Sequence, residues 1–309
     1  MALQAITSDI AAAGPRQRGP GTFARFGKAV LQERKATAGA VILLGLGFVA
    51  AFPGLIATDS PSAAIYAQDV GPSAQHLLGT TLVGQDVFSQ LIWGTRLTLI
   101  ITVVVALIAT FISMIIGVTS AYVGGMVDRS LSLLTDVFLI IPTLPLLIVL
   151  AAYLPAGAGS MIVVLCLTCW AFQARQLRSQ GLSLRNQDFL VAARVRGERT
   201  SYIILVEIVP TMISLVAASF LGVAVYVVGF AAGLQFLGLG NSSELTWGTM
   251  LYYAQQNGAL ESGNVWWALA PGGAVAVMGA GFALLNYAFD EIGNPALRPS
   301  RRRGARRRP

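Results

Sequence analysis

Apolar residues in this chain fall into long uncharged runs separated by short charged or Gly- and Pro-marked breaks, not into the alternation of half-buried strands. Ala36–Ala57 spans 22 residues without a charge, Leu97–Val127 spans 31 and Val137–Ala174 spans 38. Ile208–Ser243 and the stretch opened by Trp266 and Trp267 add two more. Since a helix needs roughly 20 apolar residues to cross a bilayer, the 38-residue run is long enough for two helices, joined at the cluster Pro155, Ala156, Gly157, Ala158, Gly159. The pattern predicts an all-α membrane protein with six transmembrane helices; barrel strands would show only short alternating segments.

Finer features refine this outline. Gly124 and Gly125 predict a tight turn after the second span, with Asp128 and Arg129 in an inner loop. Pro142 and Pro145 are expected to bend the third span. Gly229 and Gly233 form a Gly-x3-Gly face suited to close helix packing, and the Trp266–Trp267 pair suits an interfacial belt. The chain then divides into a Gly-, Pro- and Ala-rich cytoplasmic tail (1–21), an interfacial helix with the first span (22–57), an external segment (58–93), a core of five spans (94–290) and a basic tail (291–309). In the interfacial helix, Phe23, Phe26, Val30 and Leu31 recur at helical spacing.

The core is broken by a charged loop, 175–207, which overlaps the motif-bearing stretch Asp188–Pro210. Asp188 is placed to cap a helix, Ala192 and Ala193 favour its interior, and Gly197 suits the left-handed residue that ends it. Thr200 or Ser201 would cap a second helix. Small Ala side chains on the first helix would let another protein approach closely. On these residues alone, a plain arginine-rich connection held inside by its charge explains the loop too.

Composition and charge fix the setting. With 55% hydrophobic and 11% charged residues the chain is too apolar for a soluble domain. The net charge of +7 resides in 21 basic residues, and six spans put all of these but Arg96 on one side, which is therefore the cytoplasm, together with both termini. The terminal run RRRGARRRP is read as a contact with anionic lipid of the bilayer, with no nucleic acid as partner. Cys166 and Cys169 share a Cys-x-x-Cys spacing, but inside an apolar run, and read as buried thiols; with the lone His76 they give no metal centre. No phosphate-binding Gly-x4-Gly-Lys motif occurs, so ATP is not bound by that route in this chain.

The spacing Val191, Ala192, Ala193, Gly197, Pro210 resembles the Glu-Ala-Ala cytoplasmic loop of permeases from binding-protein-dependent ABC importers, with Val191 in place of the usual Glu. A Glu there would complete a capping box with Asp188. Three further blocks resemble the C-type permeases of the dipeptide, oligopeptide and nickel branch. The first runs from His76 to Leu97 and includes Asp86, with Thr81, Gln85 and Gln90 where Asp, Arg and Arg are usual. The second holds Gly238, Gly240, Trp247 and Gly248 in an external loop; the third ends on Asn286, Asp290, Asn294, Pro295 and Arg298.

The resemblance implies a type I ABC importer permease fold and no enzymatic activity in this chain. It implies a paralogous permease as partner, ATP-binding cassette subunits that carry ATP and Mg and dock at the Asp188–Pro210 loop, and an external solute-binding protein. Peptide is the substrate implied, with nickel or another small solute as the alternative. An ion- or proton-coupled transporter is the rival from another class, but it would want carboxylates near mid-membrane. Asp136, Glu207, Asp290 and Glu291 all fall near cytoplasmic ends.

Overall fold

The computed structural model describes residues 33–57 and 59–293. The expected tails and most of the expected interfacial helix lie outside the described residues. Among those described the fold is helical, with one isolated β-bridge between Thr80 and Asp86. The elements are α1 (Arg34–Ala51), α2 (Pro53–Ile56), α3 (Val87–Val123), α4 (Gly125–Ile140), α5 (Thr143–Tyr153), α6 (Ala158–Thr168), α7 (Ala171–Leu184) and α8 (Asp188–Val195). Then come α9 (Thr200–Tyr202), a π-helical turn (Ile203–Ile208), α10 (Val209–Thr211), α11 (Ile213–Leu234), a second π-helical turn (Gln235–Leu239), α12 (Trp247–Gln256) and α13 (Val265–Gly293).

Five helical stretches are long and apolar enough to cross a membrane, and the bent pair α4–α5 makes a sixth. The central strut is α3, whose 37 residues extend for roughly 55 Å, well beyond the hydrocarbon core. It packs against α1, α6, α7 and α11, and α13 closes the bundle against α1 and α11. Two buried hydroxyls of α3 are satisfied by its own backbone: Thr98 donates to the Gly94 carbonyl and Thr102 to that of Thr98, each at 2.8 Å. No water is needed inside the bilayer for these groups.

Two expectations about the third span change. Gly124 does turn the chain, with φ 71°, but α4 begins at once, so Asp128 and Arg129 lie in the first turns of a helix and not in a loop. The bend between α4 and α5 is 88°, a break and not a kink. Pro142 offers no N–H and in a continuous helix its ring would crowd the Phe138 carbonyl, while Ile141 before it takes an extended ψ of 126°. Pro145 sits inside the first turn of α5, where its missing donor costs nothing.

Two packing expectations are also corrected. Nothing lies within 4 Å of a Cβ built on Gly229 or Gly233, so the Gly-x3-Gly face makes no close helix contact among the described residues. It lines an open apolar groove with Leu144, Tyr226 and Phe230. Of the tryptophan pair, Trp266 is exposed as a belt residue is, whereas Trp267 is buried in the core. Cys166 and Cys169 are free and buried.

Candidate coupling surface and outer cap

The charged loop is built on a platform of small residues. An added Cβ on Gly117 of α3 would meet the Ala174 carbonyl at 2.5 Å, and one on Gly181 of α7 would meet the Ala121 Cβ at 2.7 Å. These helices touch backbone to backbone, which makes α3 and α7 one rigid unit. An ion pair locks α4 to that unit: Arg178 Nε and Nη2 donate to the two Asp128 oxygens at 2.6 and 2.8 Å, and Ser132 donates to the same carboxylate. Arg175 pairs with Asp136 beside it.

From this platform α8 projects with two unlike faces. Leu190 and Ala193, both fully buried, enter a cluster with Val118, Leu177, Ile203, Ile208 and Met212. Phe189, Val191, Ala192 and Val195 face outward. Val195 is 83% exposed, far more than an apolar side chain beside a packed cluster needs to be. The expected alanine pair is therefore split, with Ala193 serving the permease-side cluster and Ala192 on the free side.

The ends of α8 differ in how well they follow expectation. The N-cap is Gln187, not Asp188, which is the first helical residue and makes no capping hydrogen bond. Its charge still favours the helix start. Because the cap is one residue earlier, a Glu at Val191 would stand at the fourth helical position and could not form a capping box. Similarly, Arg199 occupies the cap of α9, and Thr200 begins the helix. Pro210 lies in α10, just after the π-helical turn that carries Ile203 and Ile208 into the cluster.

The C-terminal end of α8 matches expectation. Gly197 has φ 77°; its N–H donates to the Arg194 carbonyl and that of Glu198 to the Ala193 carbonyl, the paired closure of a helix by a left-handed residue. Nothing lies within 4 Å of the position a Cβ would take. Gly197→Ala should thus act through backbone strain alone, costing about 1–2 kcal/mol, with Gly197→Asn intermediate; thermal unfolding of the purified chain reads both.

At the opposite end of the bundle, Asp86 caps α3 by accepting from the Ser89 N–H at 2.7 Å, and His76 Nδ1 lies 3.0 Å from its other oxygen. Asp59 accepts from the Tyr66 hydroxyl and raises that phenol's pKa above its ordinary 10.0. Gly238 (φ 83°) and Gly240 turn the chain out of the π-helical turn after α11, and Thr246 then caps α12 in a reciprocal pair with Thr249. Glu244 accepts from the Ala158 N–H at 2.8 Å, tying this loop to the start of α6. Gly248 is a close approach: a Cβ there would fall 2.3 Å from Gln235 Oε1.

Trp247 is the surprise of this region. It is 1% exposed; its backbone N–H donates to Thr98 Oγ1 at 3.1 Å and its Nε1–H to the Leu91 carbonyl at 3.0 Å. It is an anchor of α12 on α3, neither a receiving surface for another protein nor a membrane-interface residue.

A bundle with a broken span and a short two-faced helix outside it has known counterparts. The family of binding-protein-dependent transport system inner membrane components matches residues 113–294, which includes both the break and α8. This chain belongs to that family. A Brucella suis protein provisionally named a peptide permease is 33% identical over 264 residues, covering 84% of this chain and 86% of that protein. The nickel transport system permease protein of Escherichia coli K12 is 30% identical over 230 residues, 74% of this chain and 82% of its own length. In fold the permease is similar to a chain of the methionine ABC transporter in an inward-facing conformation, at TM-score 0.50 and 19% identity, covering 64% of this chain and 96% of that one. The permease is thus a multi-pass inner-membrane component of an ABC importer, with the type I permease fold.

Proposed function

We propose that this permease forms, with a paralogous permease, the pathway of an ATP-driven importer of peptides. The observation that carries the coupling step is α8: one face is locked into the cluster on α3 and α7, and the other leaves Phe189, Ala192 and Val195 exposed, with no partner among the described residues. Such a helix is rigidly linked to the spans and free to dock into an ATP-binding cassette subunit, which would hold ATP and Mg. Closure of two such subunits would drag the platform formed by Gly117, Gly181 and the Asp128–Arg178 pair. The external segment and an outside solute-binding protein would complete the complex.

Peptide is favoured by the relative named a peptide permease, and nickel is the alternative cargo because of the nickel relative. Ion coupling finds little support in the described carboxylates at the cytoplasmic ends: Asp128, Asp136 and Glu207 pair with Arg178, Arg175 and Arg196.

Two measurements test the reading. Tagged permease purified from its native membrane should bring with it an ATP-binding cassette chain in stoichiometric amount; its absence from a folded preparation would remove the importer reading. For orientation, Gln256 and Asn186 are both exposed and lie at opposite ends of the bundle. Gln256→Cys should react with an impermeant thiol reagent in intact cells and Asn186→Cys should not, and the reverse result would invert the topology.

A further inference from the structure

Where α4 breaks into α5 and α6 gives way to α7, a cleft of about 530 Å³ opens between these helices, α11 and α13. That volume lies within the roughly 300–1,000 Å³ of small-molecule sites. Its wall is mixed: Gln173, Gln176, Ser219, Tyr226 and Asn286 face it beside apolar residues such as Phe138 and Phe172, and no Asp, Glu, Lys or Arg does among the described residues. Three of these groups have no hydrogen-bond partner among the described residues: Gln173 Oε1, Ser219 Oγ and Asn286 Oδ1. Gln173 is 8% exposed and Ser219 3%, so neither is satisfied by open solvent.

Buried amides and hydroxyls without partners are destabilising, the more so inside a membrane protein, and only a hydrogen-bonding occupant offsets the penalty. The space for one is kept open at Gly222. A Cβ there would stand 3.3 Å from Gln173 Nε2, a tight approach, and in ordinary contact with Asn286 Nδ2 at 3.5 Å, so a longer side chain would extend into the space between the two carboxamides. What the three free atoms ask for is chemical: two are carbonyl oxygens that only accept, and the third is a hydroxyl that does either. A metal ion would find no carboxylate or imidazole there and only the Cys169 thiol as a soft ligand. A solute rich in neutral N–H donors fits.

We infer that this cleft is a transit site for peptides within the permease, in which Gln173, Ser219 and Asn286 accept hydrogen bonds from main-chain N–H groups of the cargo. Recognition of main chain instead of side chain makes the site tolerant of sequence. This inference rests on the proposed peptide cargo and adds to it the place and the chemistry of contact.

Cys169 lines the cleft and Cys166 does not, which gives a readout independent of transport. In the complete importer carrying Cys166→Ala, modification of Cys169 by a small thiol reagent would be followed with trialanine in excess, and with its analogue N-methylated at every main-chain nitrogen. Trialanine should slow labelling about tenfold or more, the worth of one or two hydrogen bonds, and the methylated analogue should not. The protection should vanish in Gln173→Leu/Asn286→Leu. Equal rates with and without trialanine, equal protection by both peptides, or a Cys169 that never reacts would each overturn the site. Uptake of trialanine by the same preparation separates the two readings: uptake without protection leaves the peptide importer standing, and absence of both removes it as well.

Discussion

Trp247→Ala should deplete the folded permease instead of leaving an intact but inactive one. The side chain is buried against α3, and its truncation removes both the packing and the hydrogen bond to the Leu91 carbonyl. Emptying an aromatic site of this kind costs about 3–5 kcal/mol, against a total stability of about 5–15 kcal/mol for a typical domain. Trp247→Phe, which fills most of the space and loses only the Nε1–H bond, should cost about 1–2 kcal/mol. Monodispersity and melting temperature in detergent distinguish the two. A Trp247→Ala protein as stable as the parent but unable to transport would contradict this anchoring role and point to an external receiving one.

The second large effect concerns coupling, and it depends on which alanine is changed. Ala192 is on the exposed side of α8, so Ala192→Arg should leave the permease folded and in the membrane. If the ATPase buries that side, an unpaired charge there costs about 3–5 kcal/mol, which weakens docking by about a hundredfold or more. Uptake should fall to background while the permease level is unchanged. Ala193→Arg acts elsewhere: it forces a charge into the cluster around Leu190 and Ile203 and should melt the loop of the permease itself. Val191→Glu, which places the family's usual acid on an exposed position near the helix start, should be tolerated.

What was legible in the sequence follows from what each signal depends on. Spans were readable because apolar length alone decides them, and the turns at Gly124 and Gly197 because positive φ singles out glycine. The family, too, was readable from the loop spacing and the separated blocks. The one-residue errors at Asp188 and Thr200 arise because Gln187 and Arg199 take the caps with backbone geometry alone, which side-chain preference does not reveal. Trp267 was expected at the membrane interface and Trp247 in an external loop, since composition does not say what packs over them; Thr98 and Leu91, which hold Trp247, are far away in sequence. The cleft was invisible for the same reason. Gln173, Ser219 and Asn286 come from three helices, and nothing local marks any of them as lacking a partner.

The importer reading turns on whether the outward face of α8 meets an ATPase. In permease lacking Cys166 and Cys169, Ala192→Cys in the assembled complex should cross-link to the ATP-binding cassette chain through a short bifunctional reagent. Ala193→Cys, sealed in the cluster, should not. Cross-linking from neither position, with the complex intact, would contradict coupling through this helix and leave it an ordinary charged connection.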